Sequence, residues 1–192
     1  MASFGHAPLI LASASPRRRD LLAQIGIVPA RIAPTDIDET RRKDESPRAL
    51  AERLAREKAA ACGADGFVLA ADTVVALGTR NLEKAEDAAE AEAFLRLLSG
   101  RSHQCITGIA VKAPDGRLQS RTVLARVRMK RLTDQEIAAY VASGEWQGKA
   151  GGYGIQGMAG AFITHINGSY TAIVGLPLFE TKSLLEGMGW HG

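Results

Sequence analysis

Three arginines in a row, Arg17-Arg18-Arg19, follow Ser13-Ala14-Ser15-Pro16. An apolar run, Leu9-Ile10-Leu11-Ala12, leads in, and a helical pattern of Leu21, Leu22 and Ile25 leads out to Gly26. The stretch reads as a turn between a buried strand and a helix, with Ser15 as N-cap and Pro16 at the first helical position. A helix N-terminus already carries about half a positive charge, so cations there are electrostatically misplaced. A local rule broken this plainly points to a functional site. Guanidiniums beside free backbone N–H groups suit a polyanion, phosphate first of all. The plainer alternative is a solvated arginine run on a surface helix.

Further charges ask for the same purpose. Asp72 stands inside the most apolar run of the chain, Phe67 to Leu77. A buried carboxylate is costly unless it is paired, hydrogen-bonded or on a metal. An acidic knot, Asp36-Ile37-Asp38-Glu39, sits in a polar stretch after Pro34, and taken alone it reads as a solvated turn. Lys58 falls near a helix end, where a lysine is ordinary, and Lys84 follows the turn Gly78-Thr79-Arg80-Asn81. Six glycines between Gly148 and Gly160 make a loop that lets backbone approach a ligand closely, and Gln156 lies within it. Phosphoryl chemistry accounts for the whole set. Arginines and lysines neutralise a polyphosphate, and carboxylates hold Mg²⁺ with its waters. A carboxylate positions or deprotonates an attacking water, and an amide side chain reads the edge of a base.

The elements that must position these residues follow from pattern. Val28 to Ala33 is a short extended piece. Ser46-Pro47 opens a helix that Gly63 ends, and Phe67 to Leu77 is a buried strand. A helix runs from about Asp87 to Leu98. His103 to Val111 is a strand, Pro114-Asp115-Gly116 a turn, and the return strand alternates Val123, Ala125, Val127 and Met129 against Arg126, Arg128 and Lys130. Those charges read as a solvated face, and His103, with no partner at ligand spacing, reads as structural. Thr133-Asp134-Gln135-Glu136 is a capping box. Ala161 to Ile166 reads as a strand, and Pro177 starts a last helix. Strands and helices mixed, with an antiparallel hairpin, argue for an α/β fold with a mixed sheet.

Composition narrows the classes. The chain has 192 residues, 46% of them apolar and 23% charged, which fits one globular domain over residues 1–192 and excludes a disordered chain. A net charge of +3 is too weak to argue for nucleic acid, which is not an expected partner. No apolar run reaches membrane length, no signal-peptide pattern is visible at the start, and Cys62 and Cys105 lie in no metal-like spacing. A cytoplasmic protein is expected. Gly152-Tyr153-Gly154-Ile155-Gln156-Gly157 matches a dinucleotide-binding pattern, but neither a strand before it nor a helix directly after it supports that reading.

Three long stretches carry a resemblance: Leu11-Ala12-Ser13-Ala14-Ser15-Pro16-Arg17-Arg18, Ala71-Asp72-Thr73-Val74-Val75, and Gly148-Lys149-Ala150-Gly151-Gly152-Tyr153-Gly154-Ile155-Gln156-Gly157. With Leu98-Ser99-Gly100, Asn167-Gly168-Ser169-Tyr170 and the run from Val174 to Thr181, they resemble the Maf family of nucleoside triphosphate pyrophosphatases, in order over about residues 8 to 186. The resemblance implies a mixed sheet with flanking helices and two lobes around a cleft, as in inosine triphosphate pyrophosphatases. It implies hydrolysis of the α–β phosphate bond, a divalent cation (Mg²⁺ or Mn²⁺) held by Asp72 and Glu39, and a homodimer. It makes Asp72 the catalytic carboxylate, with Glu39 and Lys84 beside it and the choice of base between Asp72 and Glu39 open. Ser13, Arg17, Arg18, Glu39, Lys58 and Lys84 match the family's pocket residues. Arg17, Thr73 and Gln156 match the trio associated with substrate choice. Gln156 and Tyr153 place the chain with the branch acting on dTTP, UTP and some modified pyrimidine nucleotides, whereas the branch acting on 7-methyl-GTP has Glu at the position of Gln156. Ala85 departs from the proline that many members carry. The rival expectation is a nucleotide sensor or nucleic-acid-binding protein in septum control, without turnover. Of the three arginines, Arg17 and Arg18 are expected to face Asp72 across the cleft, and Arg19 to lie outside.

Overall fold

The computed structural model describes residues 7–192; residues 1–6, where the expected absence of a signal-peptide pattern falls, lie outside the described residues. The elements run β1 (Leu9–Leu11), α1 (Pro16–Gln24), β2 (Arg31–Ile32), α2 (Pro47–Ala61), β3 (Phe67–Leu77), β4 (Arg80–Leu82), α3 (Ala88–Leu98), β5 (Ser102–Lys112), β6 (Leu118–Met129), α4 (Asp134–Ala142), a 3-10 helix (Met158–Phe162), β7 (Ile163–Asn167), α5 (Tyr170–Val174) and α6 (Leu178–Gly187). One sheet orders the strands β2-β1-β3-β5-β6-β7, with β4 paired to β3. β1 runs parallel to β2 and β3, and the remaining pairs are antiparallel. This is the mixed α/β sheet that the alternation of patterns predicts.

α2 covers one face of the sheet. Its Ala51, Ala55 and Ala59 recur every fourth residue, hence on one side of the helix, and all three are fully buried. Ala55 and Ala59 pack with Ile10, Val68, Ala70 and Ala110, while Leu50, Ala51 and Leu54 pack with Val74 and Ile106. The approach is so close that a Cβ at Gly108 would fall on the carbonyl of Ala51. The opposite face carries the larger core. There Leu21 and Leu22 of α1, Phe94, Leu95 and Leu98 of α3, and Leu184 and Leu185 of α6 meet Leu11, Leu69, Ile109 and Met129 of the sheet.

The capping signals resolve as their chemistry predicts. Ser46, Asp87 and Thr133 each accept a hydrogen bond from the backbone N–H three residues on, and Glu136 completes the capping box. Ser15 is the exception: its side chain caps nothing, and its own N–H donates instead to Ser13 Oγ at 3.2 Å. The strand expected from Ala161 begins at Ile163, because the glycine-rich stretch closes in a 3-10 turn first. Ala172 and Val174 lie in a five-residue helix, capped by the Ser169 side chain. Among the described residues no helix is long and apolar enough to cross a membrane.

Candidate active site

The site is built on a gap in one edge of β3. β5 pairs with β3 from Val68 to Ala76, so β1 and β4 must share the other edge. β1 pairs there with Phe67 to Leu69, and β4 with Val75 to Leu77. Among the described residues no strand covers those between, and Asp72 and Thr73 lie in that opening. Asp72 is thus in the middle of its strand, at the end of its neighbour rather than of its own. A cleft of about 480 Å³ opens at this place. All nine residues singled out from the sequence line it: Ser13, Arg17, Arg18, Glu39, Lys58, Asp72, Thr73, Lys84 and Gln156.

Asp72 points to the α2 side, between the alanine contacts of Ala70 and the leucine contacts of Val74. Lys58, buried on α2, answers it: Nζ lies 2.7 Å from Asp72 Oδ1 and also 2.7 Å from Glu39 Oε1. One ammonium therefore holds a carboxylate of the floor and a carboxylate of the rim. Burial pushes the Glu39 carboxyl upward, but the bond to Lys58 and the charges of Lys58, Lys84 and Arg18 prevail and hold it below its ordinary value. The loop that presents Glu39 is tied to α2 by Arg53, whose guanidinium meets Glu45 at 2.7 Å and Glu57 at 2.9 Å and donates to the Thr40 carbonyl. Asp38 stays outside the cleft, accepting from the Thr40 N–H.

Arg17 and Arg18 line the cleft, and Arg19 is not among its lining residues. Arg18 donates to the Gly175 carbonyl and to Ser13 Oγ, each at 2.9 Å. Burial lowers its pKa, and Asp72 and Glu39 oppose that shift, which places Arg18 within electrostatic reach of both carboxylates. Arg17 lines the cleft with no ion pair among the described residues, and so does Lys84. Arg19 is exposed and lies 3.6 Å from Asp20.

Thr73 points to the opposite face. Its Oγ1 lies 2.9 Å from Thr107 Oγ1, and Thr107 donates to the Ala172 carbonyl at 2.7 Å. On this side the cleft is walled by Val75, Cys105, Tyr153, Ile155, Ile173 and Val174, a largely apolar pocket suited to a flat base. Burial pushes the Cys105 thiol up to about 12, so it stays protonated and inert.

The glycine-rich stretch forms the remaining wall and is anchored at several points. Gly151 has φ +72°, where a side chain would be strained and would also strike Val75. The Gly154 N–H donates to Tyr140 Oη at 3.0 Å, the Met158 N–H to Glu145 at 2.9 Å, and Tyr153 Oη meets His103 Nε2 at 2.6 Å. Gln156 is left exposed in the cleft, its amide with no hydrogen-bond partner among the described residues.

Three contributors escape a reading of the sequence. Lys149 lines the cleft, and its Nζ donates to the Glu145 carbonyl. Burial and then the nearby Arg17 lower its pKa. Its stem crosses Gly154, where a Cβ would meet Lys149 Cε at 2.5 Å. Lys149 stands inside the glycine-rich motif, so its place there was the available signal. Thr107, and the His103–Tyr153 pair, act across sequence separations of 65 and 50 residues, which no local pattern reveals.

Five cations and two carboxylates line the cleft, leaving a surplus of three positive charges. Such a surface takes up a polyanion. Lys58 meets Asp72 through Oδ1 and Glu39 through Oε1. Two carboxylates with room for water and phosphate oxygens suit Mg²⁺ or Mn²⁺, hard cations that keep much of their hydration. Among the described residues no group of three or more His, Cys, Asp or Glu is placed to hold a metal by protein ligands alone.

A family model described as "Maf-like protein" matches residues 8–188. A protein of Hyphomonas neptunium named dTTP/UTP pyrophosphatase is 80% identical over 97% of this chain and 98% of its own length. Proteins of the same name from Caulobacter vibrioides and Agrobacterium fabrum are 60% and 56% identical, each over 95% of this chain and over 96% and 93% of their own lengths. Among solved structures, a HAM1 protein from Coxiella burnetii aligns with a TM-score of 0.44 at 19% identity, over 65% of this chain and 73% of that one.

Proposed function

The chain belongs to the Maf family, and from that premise we propose that it hydrolyses nucleoside triphosphates, dTTP and UTP foremost, between the α and β phosphates. Water adds across the anhydride to give a nucleoside monophosphate and pyrophosphate. The observation that carries this reading is the Glu39–Lys58–Asp72 group at the floor of a cleft with a surplus of cations. Arg17, Arg18, Lys84 and Lys149 hold the polyphosphate. Asp72 orients the attacking water and takes its proton, and the contact with Lys58 fixes where that carboxylate points. A divalent cation on Asp72 and Glu39 supplies charge neutralisation at the phosphates when bound. Gln156, exposed in the cleft, donates to a pyrimidine carbonyl, and the apolar wall opposite packs the base.

The enzyme acts as a homodimer in the cytoplasm in this reading. Its two buried free cysteines agree with a reducing compartment, and sedimentation measures the assembly. The main test is pyrophosphate release from a panel of nucleoside triphosphates with Mg²⁺ or Mn²⁺. Turnover of dTTP and UTP above the others is expected. Asp72→Asn should abolish nearly all of it, a loss of about a thousandfold or more, while leaving the melting temperature within a few degrees. Tight nucleotide binding without any turnover by the wild type would instead assign the protein to nucleotide sensing.

A further inference from the structure

The hydroxyls of Thr73 and Thr107 can be given their hydrogens by counting. Thr107 is fully buried, and its single hydroxyl hydrogen points to the Ala172 carbonyl at 2.7 Å. That carbonyl belongs to α5, a helix of five residues; the turn after it closes on Thr171, whose carbonyl takes the N–H groups of both Gly175 and Leu176. The carbonyls at the end of so short a helix lack intrahelical partners, and Thr107 supplies one. A hydroxyl has one donor and two acceptor sites. With its donor committed, Thr107 can only accept from Thr73, 2.9 Å away. Thr73 therefore spends its own hydrogen on Thr107 and faces the cleft with lone pairs alone.

We propose that Thr107 makes Thr73 an obligate hydrogen-bond acceptor, and that this fixed polarity selects bases carrying an imide N–H, such as uracil and thymine, over cytosine. The proposal rests on the pyrimidine nucleotide reading of the cleft. It supplies something that Gln156 cannot. A primary amide presents a donor and an acceptor side by side, and by rotating it serves either the uracil or the cytosine edge. Thr73 cannot invert while Thr107 holds it. The ring nitrogen of uracil or thymine carries a hydrogen that a lone pair welcomes. The ring nitrogen of cytosine carries a lone pair, which would face another. Thr107 touches no substrate in this scheme; it is a positioning residue acting through Thr73.

The first experiment uses the wild-type chain. Pyrophosphate release is measured from UTP, CTP and N3-methyl-UTP with Mg²⁺. CTP and N3-methyl-UTP should each fall below UTP in kcat/KM by roughly tenfold to a hundredfold, the cost of a mismatched or unpaired polar group. The second compares Thr107→Val, which has the same shape and no hydroxyl, with Thr107→Ser. In the valine variant Thr73 is free to turn its hydrogen toward the cleft, so the UTP-to-CTP ratio should shrink by about tenfold or more. Serine should restore it. A general loss of packing would lower both substrates together and leave the ratio alone. Equal use of N3-methyl-UTP and UTP by the wild type overturns the proposal. So does a valine variant that folds and keeps the wild-type ratio. A wild type that hydrolyses no pyrimidine nucleotide overturns the proposed function itself, and this inference with it.

Discussion

Two side chains at this site differ in what they can be replaced by. Lys58 bridges two carboxylates at 2.7 Å each, from a buried position on α2. Removing it would leave Asp72 as a buried charge with no cation in contact, a costly state. Gln156 is exposed at the cleft, with no side-chain hydrogen bond among the described residues, so a change there should spare the fold. Gln156→Glu replaces a donor-and-acceptor pair with an acceptor alone. The variant should keep the wild-type melting temperature and lose UTP turnover relative to 7-methyl-GTP by about tenfold or more, read as the ratio of kcat/KM values. An unchanged ratio would remove Gln156 from substrate choice.

At the scale of elements, the glycine-rich wall shows how a loop can be rigid without regular structure. Tyr140, Tyr153 and Glu145 pin it at three points, and Lys149 lies along it over Gly154. Gly154 is not in the left-handed region, so alanine is permitted there by the backbone and refused only by the lysine stem. Gly154→Ala should therefore push Lys149 aside and lower kcat/KM for UTP by about tenfold, the loss of one charge-assisted contact. In a Lys149→Ala background the same change should cost little, because the space is vacant. Additive losses in that double-mutant cycle would show that the two positions act separately. Part of the framework around the cleft is legible in the sequence. Apolar runs mark β1 and β3, and the Thr133–Glu136 box marks α4. α5 is not, since five residues give no helical period to detect. Pattern alone starts the strand after the glycines two residues early, because Ala161-Phe162 is apolar whether it extends or turns. The cleft residues were nameable from sequence through motifs, whereas their mutual pairing, Lys58 to both Glu39 and Asp72, depends on the register of α2 against β3 and could not be read from either segment alone.

For the whole molecule, the polar pair sealed in the core links stability to pH. His103 is buried, its Nδ1 has no partner, and burial pushes its pKa down from 6.5 to about 4. The folded state thus binds the proton less readily than the unfolded state. The stabilising effect of a neutral His103 is complete above pH 6.5 and is lost as pH falls from there toward 4. Linkage puts the loss between pH 7 and pH 5 at about 2 kcal/mol. Glutamine at 103 keeps a polar partner for Tyr153 and does not titrate. His103→Gln should accordingly flatten the decline in urea midpoint over this window by a corresponding amount, and an equally steep decline in wild type and variant would contradict the assignment.

The gap in the edge of β3 has one more consequence. Consecutive residues of a strand face opposite sides of a sheet, and here the two residues in the gap are Asp72, toward α2 and Lys58, and Thr73, toward Thr107 and the apolar pocket. Under the proposed function, cutting and reading are thus divided by the plane of the sheet, one residue apart on a single backbone. Substitutions on the reading side can retune which base is accepted without shifting the carboxylate, because the register of β3 is held by nine residue pairs with β5. A lineage built on this strand can change its diet while keeping its blade.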